Sequence, residues 1–427
     1  MIPREFWKSF GPGLLWAAAA IGVSHLVQST RAGADAGFAL TGVIAVALVL
    51  KYPFFEFGPR YAAATGESLV EGYAGVGRWA VWLYLLITVA TAVIVDAAIL
   101  LFTGFLLLSV FGLDWPVWTA AGALYLVCAG ILWVGRYRLL DRTVKTILVA
   151  LAVSTIVAAV LALPAADFST AALIPDVGRD VGRDVGRDGV VAFAFVLALV
   201  GWMPSAVDIS VWNSLWTLAK DESEQVRTSV ANALLDFRIG YAGTGLMAFA
   251  FLTLGAAVMH GSGQSFSSAG TAFSLQLVDL YAETLGAWAR PFVLVAVLTT
   301  MLSTSITVVD GFPRGIARSL EVLAGHRARD VEVGETGRIY WLTMVAIGLA
   351  VPTVLALLAG SLTGMVDFAT IVAFLTAPLL GYLNLRAVTS DDVPAELQPG
   401  LGLRALSWAS LAVLAAFGVV YLVTLMA

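Results

Sequence analysis

Apolar residues run in blocks of about 20 along the whole chain, separated by short polar interruptions, which is the pattern of membrane spans rather than of alternating strands. The blocks fall near residues 11–30, 39–58, 79–112, 115–135, 145–165, 189–219, 239–259, 290–311, 339–359, 364–385 and 404–426. The pattern therefore predicts an all-α integral membrane protein with eleven transmembrane helices. The third and sixth blocks are long enough to tilt or to continue past the membrane surface.

Two blocks are interrupted. In "AAAAIGVSHLVQST" (17–30), Gly22, Ser24, His25, Gln28 and Ser29 break an apolar run, and "VGWMPSAVDISVWN" (200–213) carries Gly201, Pro204, Ser205 and Asp208. Inside a helix, glycine costs about 1 kcal/mol and proline about 3 kcal/mol relative to alanine. In lipid the freed backbone groups add several kcal/mol each unless protein or a water-filled cavity receives them. Glycine and proline can also merely kink a span. Two breaks lying five spans apart, each flanked by polar side chains, point instead to a transporter with inverted repeats and a site between the breaks. The expected halves are 11–165 and 189–385, with 404–426 as an extra helix and 166–188 as a low-complexity outer loop containing "DVGRDVGRDVGRDG".

Composition narrows the class. The 427 residues are 60% hydrophobic and 12% charged, against about 25% charged in soluble domains, and mean hydropathy is +0.91. The net charge of −5 offers no basic patch for nucleic acid. Cys128 is the single cysteine, so an internal disulfide or cysteine metal cluster is excluded. Most of the lysines and arginines fall on alternating segments of one side, leaving Arg31, Arg179, Arg183, Arg187 and Arg290 on the other. By the positive-inside rule the N-terminus is cytoplasmic and the C-terminus outside, in the plasma or inner membrane. "MIPREFWKSFGPG" lacks a small-residue cleavage site and reads as a cytoplasmic lead-in.

Among the polar residues inside spans, Asp96 and Asp208 are costly enough to imply function. His25 reads as a ligand or proton carrier against the plainer role of bonding a broken-helix carbonyl, and Met203 as a site sulfur against core packing. Glu56, between Lys51 and Arg60, reads as a structural ion pair. Arg31 is either an outer-mouth charge or a snorkelling anchor, and Asp310 and Asp367 are expected to be solvated at span ends.

"GPGLLWAAAAIGVSHLVQSTRAGADAGF" (11–38) resembles the first span of the natural resistance-associated macrophage protein (NRAMP) divalent-metal transporters. "WMPSAVDIS" (202–210) is similar to that family's sixth-span Met-Pro-His segment, 364–383 to its tenth span, and "AAATGESLVEGY" (62–73) to its inner loop after span two. The resemblance implies a LeuT-type fold with helices 1 and 6 unwound at mid-membrane and a proton-coupled metal transporter. It departs at the metal site: Gly22, Val23, Ser24 and His25 stand where the family has Asp-Pro-Gly-Asn. Ser205 and Ser210 replace sixth-span histidines, and Thr370 a common glutamine. Met203 and Pro204 are kept, and Asp96 falls on an acidic position of the family's proton path, with His25 a second candidate carrier. Taken with the residues' own chemistry, the expected substrate site is Gly22, Ser24, His25, Gly201, Met203, Ser205, Asp208 and Thr370, with His25 and Met203 as a soft pair of metal ligands.

The expected function is secondary transport of a divalent cation such as manganese or iron, coupled to protons. No resident cofactor is expected beyond the transported metal, and the partners are lipid, protons and the solute. The alternatives are the same fold carrying a neutral or anionic small solute, or a transport-dead receptor. No phosphate-binding loop and no nucleophile–base set suggests an ATP-driven pump or an enzyme.

Overall fold

In the computed structural model the described residues are 4–165, 189–260, 286–326, 337–358 and 362–426, together with 275, 276, 278, 279 and 282, and they form helices and connecting turns with no strand among them. The repeat at 176–188, most of the outer loop near 260–286 and the inner-loop residues 327–336 lie outside the described residues. A short helix α1 (Arg4–Ser9) leads into α2 (Pro12–Ala20). A bend at Ile21 and Gly22 and a π-helical turn over Ser24–Ser29 then carry the first span into α3 (Thr30–Ala36). There follow α4 (Thr41–Thr65), α5 (Leu69–Val76), α6 (Arg78–Phe111), α7 (Val117–Ala162), α8 (Gly189–Gly201), α9 (Ile209–Glu224) and α10 (Val230–Val258). The chain ends in α11 (Arg290–Leu323), α12 (Arg338–Leu358), α13 (Leu362–Val388) and α14 (Leu401–Met426).

Eight helical stretches among the described residues are long and apolar enough to cross a membrane. The two divided segments and the 34-residue α11 stand where spans one, six and eight are expected. Spans four and five are both present, as the apolar windows 117–134 and 139–162, and helix continues through the residues that join them, so that α7 has 46 residues. Its sequence holds no proline, and the polar stretch with Arg136, Arg138 and Arg142 consists largely of good helix formers, so nothing local stops the helix. The apolar windows 117–134 and 139–162 lie on either side of that stretch.

The outer surface is apolar, as a hydrocarbon solvent requires. Trp79, Trp82, Leu126, Trp133, Leu349 and Trp408 are all exposed, while Lys51, Glu56, Asp96 and Asp310 within spans are buried. Backbones come close where side chains are small. In the α3–α10 seam, a Cβ on Gly33 would meet the Leu252 carbonyl oxygen and one on Gly255 the Thr30 carbonyl oxygen. At the start of α2, Asp236 of α10 accepts the Gly11 and Gly13 amides at 3.2 and 2.7 Å, and Pro12 between them has no amide to satisfy.

Of the span-end carboxylates Asp310 is corrected, whereas Asp367 keeps a 34% exposed side chain. Asp310 is buried at 0% exposure, because Arg314 one turn on supplies a bidentate partner (3.0 and 2.7 Å), with Trp216 Nε1 at 2.7 Å and the Tyr340 hydroxyl at 2.8 Å. Asp367 is held by Arg31 at 3.0 Å and by the Gln28 amide at 3.1 Å. Glu56 does form an ion pair with Arg60, supported by the Tyr52 hydroxyl at 2.5 Å, but Lys51 takes no part in it.

Candidate functional site

The first break is short and closed by its own neighbours. The α2 ladder ends at Ile21, whose amide still reaches the Ala17 carbonyl at 2.8 Å, and resumes when the His25 and Leu26 amides find the Gly22 carbonyl at 3.2 and 3.1 Å. The Ala20 carbonyl accepts from the Ser24 hydroxyl, and His25 Nδ1 lies 2.9 Å from the same carbonyl. The Ala18 carbonyl accepts from Thr304 of α11 at 3.0 Å. Gly22 is what lets Thr304 approach, since a Cβ there would overlap the Thr304 side chain.

The second break is longer. Helix α8 ends at Gly201, and helix resumes only at Ile209, with a cis peptide between Met203 and Pro204. Carbonyls at this break are received by a side chain from α4, although the Val200 carbonyl also accepts the Met203 amide at 3.2 Å. The Lys51 ammonium, buried at 0% exposure in the middle of α4, donates to the carbonyls of Val200 (2.6 Å), Gly201 (2.7 Å) and Ser205 (3.0 Å). A lysine at the centre of an apolar span is itself a signal. It was legible but was assigned to Glu56, its neighbour in sequence.

Gly201 has a second task. A Cβ there would overlap the Thr370 carbonyl oxygen and lie 2.8 Å from its carbon, so α8 and α13 touch backbone to backbone. Gly201→Ala is therefore expected to cost about 1–3 kcal/mol by overpacking, because main chain cannot swing aside. It should appear as a lowered melting midpoint of the detergent-solubilised protein, whereas Gly42→Ala, with open space around it inside α4, should leave the midpoint unchanged or raised.

Between the two breaks lies a cavity. Its walls are Val23 and Ser24 from the first, Trp202, Ser205, Ala206, Val207 and Asp208 from the second, and faces of α6 (Ile87, Thr91, Val95), α11 (Thr304, Val308, Phe312) and α13 (Ala369, Ala373, Thr376). The lining is mostly apolar, and Asp208 is its one acidic side chain among the described residues. Asp208 is buried, and its Oδ1 has no hydrogen-bond partner among them. An anionic oxygen left so is expensive unless something else binds there.

The sequence-predicted residues thus separate. Ser24, Ser205 and Asp208 share the cavity wall. Gly22, Gly201 and Pro204 lie at the breaks themselves. His25 is fully buried with both ring nitrogens engaged, Nδ1 as above and Nε2 at 3.1 Å from the Thr244 carbonyl of α10. Met203 packs in a small apolar cluster with Phe38, Leu199, Ala248 and Leu252. Metal ligation by either would require it to leave these contacts. The Thr370 hydroxyl bonds back to the Val366 and Asp367 carbonyls of its own helix at 2.8 and 2.9 Å. Ser210 joins a structural chain in which Asn384 bridges it to the Phe54 carbonyl (2.8 and 2.9 Å). Asp96 is buried in α6 with neither carboxylate oxygen hydrogen-bonded among the described residues. No group of three or more His, Cys, Asp and Glu side chains able to hold a metal occurs among the described residues. Toward the α3 end, the Arg31–Asp367 pair ties α3 to α13, with the Arg31 guanidinium 4.8 Å from the Phe195 ring centre, which favours the outer-mouth reading over a lipid anchor.

Two membrane helices interrupted at mid-length and walling one cavity define the class: a helical membrane protein of the broken-helix type. A family model described as natural resistance-associated macrophage protein-like matches residues 13–424, and the chain belongs to that Nramp family. It is 36% identical over 398 residues to an uncharacterized protein of Pasteurella multocida (strain Pm70), covering 92% of this chain and 88% of that protein. Its fold is similar to that of the Eremococcus coleocola manganese transporter, with a TM-score of 0.72 at 14% identity over 98% of this chain and 88% of that one. It is also similar to MhsT in complex with L-phenylalanine, with a TM-score of 0.57 at 14% identity over 96% and 97% of the two chains.

Proposed function

We propose that the protein is a secondary transporter that carries a divalent metal cation by alternating access, the two five-helix halves 11–165 and 189–385 rocking about the cavity between the breaks. The observation that carries this reading is the unpartnered carboxylate oxygen of Asp208 on the cavity wall. A cation entering a low-dielectric site needs an anionic ligand, and where the family resemblance implies an aspartate at position 22, Asp208 supplies the charge from the opposite break. Ser24 and Ser205 add neutral oxygens beside it. Asp96, buried on α6 and outside the cavity lining, is the proton carrier in this reading. The cytoplasmic N-terminus belongs to the same proposal.

The test is binding and uptake of manganese. Purified protein should bind manganese or cobalt by calorimetry, and Asp208→Asn should weaken binding by at least about tenfold, the loss of one charge-assisted contact. Unaltered binding by Asp208→Asn would remove the carboxylate from the site. In proteoliposomes, Asp96→Asn should blunt pH-driven uptake while leaving manganese binding at equilibrium unchanged, and uptake that keeps its pH dependence would exclude Asp96.

A second reading, a neutral or anionic small solute, is favoured by the apolar wall of Trp202, Trp212, Val308 and Phe312. A thermal-shift screen of metals against small metabolites separates the two, since only the true cargo class should raise the melting midpoint.

A further inference from the structure

We propose that Lys51 is a built-in cation: its ammonium fills a carbonyl-lined site for a monovalent cation at the second break, so that no free ion is taken up there. An ammonium has three donors and no acceptor. Here all three meet main-chain carbonyls at 2.6, 2.7 and 3.0 Å, two from the last turn of α8 and one from the unwound segment. Those carbonyls sit at the C-terminal, electronegative end of a helix, where broken membrane helices elsewhere coordinate ions. Carbonyl oxygens that satisfy an ammonium also satisfy a desolvated alkali cation of similar size. The ammonium is delivered on a stem whose Cα lies in α4, about 150 positions earlier in the chain, so the charge stays in place whatever the ionic medium.

This assignment does not depend on what the cavity carries. It concerns the closure of the break itself. In lipid such carbonyls need partners: the Met203 amide reaches Val200 at 3.2 Å, and Lys51 serves Gly201 and Ser205 as well as Val200. Stability of the wild-type protein should then be indifferent to sodium, potassium and methylammonium. Removing the side chain should expose a vacant site that these small cations enter.

The experiment is a melting curve of detergent-solubilised wild type, Lys51→Ala and Lys51→Met in buffers where choline is exchanged for methylammonium, potassium or sodium. Lys51→Ala is expected to melt below wild type in choline and to regain much of the lost midpoint, saturably, in methylammonium or potassium. Wild type should not respond. Lys51→Met, which fills the channel without charge, should melt low and stay low. Lys51→Ala indifferent to every cation overturns the proposal, as does a wild type or Lys51→Met that responds as strongly. Should neither variant be recovered folded, reductive methylation of the wild type decides. Lys51 should stay unmodified by peptide mass spectrometry under conditions that dimethylate the exposed Lys8, and modification of both at one rate would overturn the caged ammonium. None of these readouts involves cargo, so their failure leaves the Asp208 test standing.

Discussion

Asp310→Ala is expected to lower stability by about 3–5 kcal/mol, the usual result of taking one partner from a buried ion pair. The Asp310 carboxylate has 0% exposure and ties three helices together: Arg314 on its own α11, Trp216 on α9 and Tyr340 on α12. Alanine removes the bidentate acceptor of a guanidinium that is itself buried, and leaves an indole N–H and a phenol without their acceptor in a site water does not reach. Asp310→Asn keeps a carbonyl oxygen of similar shape for one of the donors and should fall between alanine and wild type. In the double variant Asp310→Leu/Arg314→Leu, the loss should be smaller than the sum of the single losses, because both charges leave together. Melting midpoints in detergent measure all four. An Asp310→Ala protein that melts with the wild type would mean that the pair contributes nothing and that Arg314 is held by other contacts.

That pair also marks where reading the sequence stops. The spans, their order and the two breaks follow from blocks of apolar residues and from Gly22, Gly201 and Pro204, because a local interruption of hydrophobicity has a local structural effect. Asp208 was legible for a similar reason: a carboxylate within a span demands an explanation. Asp310 looked like a residue at a solvated span end, since its burial depends on Trp216 and Tyr340, 94 and 30 positions away. Lys51 was missed because its partners lie about 150 positions on, and the charge pattern offered a nearer acid in Glu56. The continuity of α7 was hidden differently. A polar patch between two apolar blocks suggests a loop, yet arginine and leucine keep a helix going when no proline intervenes.

The two breaks share one logic, which the neighbouring side chains reveal. Each ends a helix in a low-dielectric interior, and each has its carbonyls received by side chains brought from elsewhere or folded back locally. At the first, Ser24, His25 and Thr304 supply the donors; at the second, Lys51 supplies all three. The polar side chains on the cavity wall are then Asp208 and the hydroxyls of Ser24, Thr91, Ser205, Thr304 and Thr376, with the Trp202 and Trp212 indoles.

Gly22→Asp, the change that puts the family's acidic residue back into the first break, is accordingly expected to destabilise the protein instead of restoring a metal ligand. The Cβ it adds would overlap Thr304 Cγ2 and lie 2.8 Å from Oγ1 and 3.0 Å from Cβ of that residue. Thr304 is β-branched and stiff in its helix, and its hydroxyl is committed to the Ala18 carbonyl at 3.0 Å. The new carboxylate would also be desolvated with no donor prepared for it, a cost of several kcal/mol. Thr304→Ala should relieve the overlap, so the double variant should recover about 0.5–3 kcal/mol relative to the sum of the single changes. Melting midpoints give the coupling, and a manganese titration on the same samples tests the ligand. A Gly22→Asp protein as stable as wild type and binding manganese more tightly would mean that Thr304 yields freely and that the first break accepts a metal-binding aspartate as it stands. The absence of coupling with Thr304→Ala would place the cost in the buried charge alone and leave the steric account without support.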